Sequence, residues 1–135
     1  MPDPAGERAR ALGDLHILIV EDEEPMRALL ARMLQRIPVG RVVEAENGSV
    51  GLAQVGAQPI DLVICDWNMP EMSGMEFFDR VHAAHPDLPV LMVTGRSDAG
   101  SIVAAKRAGI SAYIVKPISQ RELKAKIQYV LEAGA

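Results

Sequence analysis

Five short apolar runs, separated by stretches with helical periodicity, constrain this chain more than any other feature. They are "HILIV" (16–20), "RVVEA" (41–45), "DLVIC" (61–65), "PVLMV" (89–93) and "SAYIV" (111–115). Four are near-continuous in β-branched and aliphatic residues, the pattern of strands buried on both faces. "RVVEA" is more polar and suits a sheet edge. Between the first two runs, Met26, Leu29, Leu30, Met33, Leu34 and Ile37 follow a 3.6-residue period, and Pro25 suits the first turn of that helix. Gly48 to Ala57 predicts a second helix with Val50 and Val55 facing in. Met75, Phe78, Val81 and His82 predict a third, and Ser101 to Ala108 a short, Ala-rich fourth. The fifth opens on Ser119 and Glu122 as a capping box and carries the stripe Leu123, Ile127, Val130 and Leu131. Strict alternation of strand and helix gives a parallel sheet with helices on both faces, a doubly wound α/β fold. Residues 1–14 read as a flexible, polar N-terminal leader, and residues 15–135 as one domain.

Composition narrows the class. A chain of 135 residues buries about two-thirds of its unfolded surface on folding, enough for a true core. With 49% hydrophobic but only 4% aromatic residues, that core must be aliphatic. A net charge of −4 argues against a general nucleic-acid surface. The single cysteine, Cys65, excludes an internal disulfide and reads as a small buried hydrophobe. No apolar stretch approaches a membrane span, and "MPDPAGERARALGD" lacks the hydrophobic stretch of a signal peptide. A cytoplasmic protein with no membrane partner is expected.

In doubly wound sheets, ligands bind beyond the carboxyl ends of the strands, where the strand order reverses. The first run is followed by Glu21, Asp22, Glu23 and Glu24, and the third by Asp66. The fourth is followed by Thr94 and Gly95, and the fifth by Lys116 and Pro117. Taken alone, the acidic run is an ordinary helix N-terminus, where carboxylates suit the helix dipole. Alone, too, Asp66 is a turn residue, Thr94 a strand terminus and Lys116 a surface lysine. The fold gathers them on one sheet edge, however. Two or three carboxylates crowded there repel one another unless a cation binds. Oxygen donors without His or Cys suit Mg²⁺. A metal and an ammonium placed around one carboxylate neutralise a transferring phosphoryl group, and a threonine hydroxyl hydrogen-bonds one of its oxygens. Asp66 is then a nucleophile that forms an acyl phosphate.

Four motifs, "LIVEDEE", "VICDWNMPEMSG", "VLMVTG" and "AYIVKP", occur in this order at strand ends between Leu15 and Leu131. In them the chain resembles the response-regulator receiver domains of two-component signalling. "DWNMP" and "VLMVTG", with Trp67 beside the acceptor, are most similar to the single-domain chemotaxis regulators. The resemblance implies a flavodoxin-like five-stranded sheet in order 2-1-3-4-5. It implies that Asp66 is the phosphoacceptor and that Mg²⁺ is held by Asp22, Asp66, the Asn68 backbone carbonyl and, through water, Glu21. Thr94 and Lys116 would contact the phosphoryl group, Tyr113 would be the aromatic switch, and the Lys116–Pro117 bond would be cis. It implies a phosphoacceptor signalling protein rather than an enzyme, with at most slow self-phosphorylation and self-dephosphorylation. The implied partners are a histidine kinase or phosphotransfer protein, and a downstream target protein. The target would meet the face of the fourth helix, fifth strand and fifth helix, with Ile102, Lys106, Tyr113, Lys116 and Lys126 as candidate positions. Two residues depart from the chemotaxis pattern: Gly95 stands where alanine is usual, and Arg96 where an acidic or other residue tunes hydrolysis.

Rival readings meet specific obstacles. An aspartyl-phosphate phosphatase of the haloacid dehalogenase type wants a second carboxylate two residues after its nucleophile, and that position is Asn68. A flavodoxin-type cofactor binder wants a neutral phosphate-cradling loop where this chain has "EDEE". A degenerate receiver acting only as an interaction module would lack phosphorylation residues that are all present. A receiver fragment of a larger regulator stays open as the alternative.

Overall fold

A computed structural model describes residues 12–95, 103 and 106–134. Its five strands are His16–Val20 (β1), Arg41–Ala45 (β2), Leu62–Asp66 (β3), Val90–Thr94 (β4) and Ala112–Val115 (β5). They form one sheet in the order β2-β1-β3-β4-β5, and every neighbouring pair is parallel. This is the expected doubly wound order, and the polar run β2 is an edge, as its composition suggests. The crossover helices are Glu24–Arg36 (α1), Gly48–Ala57 (α2) and Gly74–Ala84 (α3). Residues 103 and 106–108 are helical and belong to α4, and Gln120–Gly134 is α5. The remainder of the predicted fourth helix, with Ile102, lies outside the described residues, as do Arg96 and the leader up to residue 11. Leu12–Asp14 form a 3-10 turn, and Leu12 packs against the core.

Alternation along the strands divides the interior into two apolar layers. Ile17 and Ile19 of β1 point to a layer closed by α1 and α5, with Leu30, Leu34, Leu123 and Ile127. Leu18 and Val20 point to the opposite layer, closed by α2 and α3, with Val55, Phe77 and Val81. β1, β3 and β4 are therefore buried on both faces, which is why their sequences run apolar without a break. The starts of α2, α3 and α5 are set by side-chain caps: Asn47 Oδ1 accepts from the Val50 N–H at 2.8 Å, Ser73 Oγ from the Glu76 N–H at 3.2 Å and Ser119 Oγ from the Glu122 N–H at 3.0 Å. The Lys116–Pro117 bond is cis, as expected.

Two inward faces differ from expectation. In α3 the buried residues are Gly74, Phe77, Phe78 and Val81, while His82 is exposed and its ring stacks on Phe78 at 5.1 Å. In α1, Leu29 is 37% exposed, although its neighbours Leu30 and Leu34 are buried. The chain's three histidines all lie at the end of the sheet where the strands begin. His16 opens β1, and His82 and His85 sit at the end of α3, which runs back against the strands.

Candidate functional site

The crossover after β1 leads to β2 on one side, whereas β3 lies on the other, so a crevice opens beyond the carboxyl ends of β1 and β3. Glu21 and Asp22 follow β1, and Asp66 ends β3. Thr94 ends β4, and the Lys116 N–H donates to its carbonyl at 2.7 Å, which places Lys116 at the same edge. Carboxylate oxygens of Glu21, Asp22 and Asp66 lie within 4.8 Å of one another. Lys116 Nζ lies 3.4 Å from Asp66 Oδ1 and 3.7 Å from Glu21 Oε1. Of the expected site residues, Glu21, Asp22, Asp66 and Lys116 are thus brought into one cluster. Thr94 stands on the adjacent strand end, and Asn68 is exposed two residues past Asp66.

The cluster is unusual for its burial. Glu21 is fully buried and Asp66 is 5% exposed, and a carboxylate so placed is costly unless it is compensated. Burial foremost, and then the negative charge of Asp66, push the Glu21 carboxyl up to about 8; the Glu23 amide, 3.3 Å from Glu21 Oε2, opposes this without cancelling it. Two buried oxygens, Glu21 Oε1 and Asp22 Oδ1, accept no hydrogen bond. Orphaned carboxylate oxygens beside one ammonium, with no nitrogen or sulfur donor among them, fit a hard divalent cation such as Mg²⁺. One carboxylate-rich side would bind it, and the rest of its shell would be water.

The loop after Asp66 is held by close packing. The Trp67 N–H donates to the Val93 carbonyl at 2.8 Å, and the Gly74 N–H to the Trp67 carbonyl at 2.9 Å. A Cβ at Gly74 would lie 2.9 Å from Trp67 Cα and closer still to the Asp66 carbonyl oxygen. Glycine there lets α3 begin directly against the acceptor strand, and Glu71 completes the turn with a φ of 69°. The segment "DWNMPEMSG" thus turns the chain tightly enough to leave the Asp66 carboxylate at the crevice.

Two further residues belong to the site and carry no motif. Arg27 Nη1 donates to the Glu21 backbone carbonyl at 2.9 Å, and Arg27 Nε lies 3.4 Å from Glu44 Oε1 at the end of β2. The Arg27 and Glu44 positions are 17 residues apart in sequence and meet only through the β1–β2 pairing. On the other flank, Tyr113 in β5 is half-buried, with Lys106 Nζ 5.9 Å and Lys126 Nζ 5.5 Å from its ring centroid. A cavity of about 220 Å³ beside it is lined by Ile110, Ser111 and Tyr129 as well as these lysines. A larger cavity of about 700 Å³ lies at the opposite end of the sheet, between the ends of α3 and α5, far from the carboxylates.

Comparison with known proteins gives one consistent answer. The family model described as "Response regulator receiver domain" matches residues 17–128. A chemotaxis protein CheY homolog of Campylobacter jejuni is 35% identical over 124 residues, covering 90% of this chain and 95% of that protein. The chemotaxis protein CheY of Pseudomonas aeruginosa is 35% identical over 120 residues, covering 87% and 97%. Among solved structures, a CheY-like response regulator receiver domain protein from Methanospirillum hungatei superposes with a TM-score of 0.82 at 30% identity, covering 90% of this chain and 96% of that one.

Proposed function

This chain belongs to the response regulator receiver family, and we propose from that premise that Asp66 accepts a phosphoryl group from a histidine kinase or phosphotransfer protein. The observation that carries the reading is the buried Asp66 carboxylate with the Lys116 ammonium 3.4 Å away, in a crevice otherwise lined with carboxylates. An Asp66 oxygen attacks phosphorus, an O–P bond forms, and the donor's N–P bond breaks with its electron pair remaining on the imidazole nitrogen. Lys116 neutralises charge at the incoming group, and the Thr94 hydroxyl donates to one phosphoryl oxygen. Asp22 and Asp66, the Asn68 backbone carbonyl and, through water, Glu21 are the residues that would hold Mg²⁺. When bound, Mg²⁺ supplies positive charge to the phosphoryl oxygens and offsets the carboxylate repulsion.

The protein is a signalling receiver rather than a turnover enzyme. Position 68, two residues after the nucleophile, is an asparagine and offers no second carboxylate for phosphatase chemistry. Output runs through protein contacts on the α4–β5–α5 face, where Tyr113 stands between Lys106 and Lys126. Among the described residues, no helix is long and apolar enough to cross a membrane. Labelling with a small phosphoramidate donor and Mg²⁺ tests the acceptor. The label should be stable in acid, lost in hydroxylamine, and absent from Asp66→Asn. Labelling of that variant at the wild-type rate would assign the acceptor elsewhere.

A further inference from the structure

We propose that Arg27 is a positioning residue for the cation site: it clamps the peptide that carries the Glu21 and Asp22 carboxylates, and is itself oriented by Glu44. The inference rests on the metal reading above. Its basis is the pair of contacts that Arg27 makes in opposite directions. Nη1 holds the Glu21 carbonyl at 2.9 Å, at the point where the chain leaves β1. Nε reaches Glu44 Oε1 at 3.4 Å, on the outer edge strand. The Glu21 N–H is already fixed, donating to the Ala45 carbonyl at 3.1 Å. The Glu21 peptide groups are therefore held from both sides, and the two carboxylates on either side of the clamped Glu21 carbonyl belong to the three-carboxylate cluster.

The clamp matters because the cluster resists its own geometry. The Asp22 and Asp66 carboxylates, with oxygens within 4.8 Å of each other, repel, and without a tether the β1–α1 junction would relax by swinging Asp22 away. The Glu23 side chain does not provide that tether, since it makes no side-chain cap at the start of α1. Arg27 rises from the first turn of α1, with a side chain only 17% exposed, and spans from the junction to β2. A guanidinium suits the task because its planar fork serves two acceptors in fixed directions, whereas an ammonium is a point charge.

A purely electrostatic role predicts the opposite result. A cation beside the cluster repels a second cation, so removing its charge would tighten Mg²⁺ binding. Positioning predicts that removal loosens it, by about tenfold as is usual for residues that orient metal ligands. The experiment is calorimetric titration of Mg²⁺ into the wild type, Arg27→Met, Arg27→Lys and Glu44→Gln, with each variant's cooperative thermal melt recorded in EDTA. The expected result is about tenfold weaker binding in Arg27→Met, no rescue by Arg27→Lys, and a smaller loss in Glu44→Gln. Wild-type or tighter affinity in a folded Arg27→Met overturns the proposal. Should that variant not fold, Arg27→Lys decides, because it keeps the charge and loses the two-acceptor fork; wild-type affinity there overturns the proposal as well. A wild type that shows no saturable Mg²⁺ binding instead brings down the metal reading on which the inference stands.

Discussion

Glu21 illustrates how one residue carries both a cost and a use. Its carboxyl is raised from an ordinary 4.5 to about 8, first by burial and then by Asp66. Between those values the folded protein holds a proton that the unfolded chain has released. Without Mg²⁺, stability contributed at this residue is therefore full below pH about 4.5, declines as pH rises, and is lost above about 8. The decline is on the order of 1 kcal/mol per pH unit within that window at most. Urea unfolding in EDTA across the window should show it, and Glu21→Gln should flatten the profile. An equally steep decline in Glu21→Gln would place the titration elsewhere. Cys65 follows the same physics without a use: burial, then the charges of Asp66 and Glu21, push its thiol up, and its Sγ rests 3.3 Å from the Asp66 carbonyl.

At the scale of elements, the junction of β3 and α3 is unforgiving. Backbone, not a flexible side chain, faces Gly74, so neither side can yield to a methyl group. Gly74→Ala should cost about 1–3 kcal/mol, seen as a lower urea midpoint at unchanged m, and should slow phosphorylation by shifting the end of β3. Unaltered stability would mean that α3 can start elsewhere. The same helix marks where sequence reasoning stopped short. β1, β3 and β4 were legible because burial on both faces leaves an unbroken apolar run, and β2 was legible as an edge because it lacks one; β5 has such a run yet is the other edge, with only Ile114 buried. The inward face of α3 was misread because it begins with a glycine, which has no hydropathy signal, and because Phe77 and Phe78 are adjacent and both buried. His82 fell on the expected stripe only when the stripe was phased on Met75. Leu29 was misread for a similar reason, since next to Leu30 the apolar stripe looks wider than the buried one. Glu21, Asp22, Asp66 and Lys116 were legible because each stands at a strand end. Arg27 was not, since its partners are a backbone carbonyl and a glutamate on another strand.

Across the whole molecule, the two ends of the sheet carry different side-chain chemistry. The proposed signal travels from Asp66 through Thr94 to Tyr113, from the crevice to the α4–β5–α5 face. Moving a two-state equilibrium most of the way takes only a few kcal/mol. The cations flanking the Tyr113 ring, at about 0.5–1 kcal/mol each for exposed pairs, would oppose such a move without exceeding that sum. In Thr94→Ala, Trp67 fluorescence should still report a phosphoryl mimic at the neighbouring Asp66, while the Tyr113 ring resonances no longer move. Wild-type movement of Tyr113 in that variant would route the switch elsewhere. The opposite end of the sheet holds every imidazole the chain possesses, at the start of β1 and the end of α3. Five residues of strand, roughly 16 Å, separate them from the crevice. A phosphoryl group carried on Asp66 would thus have none of these three histidines within reach. It would leave to water or to another molecule, at a rate set by solvent access to the crevice and by the partners that dock there.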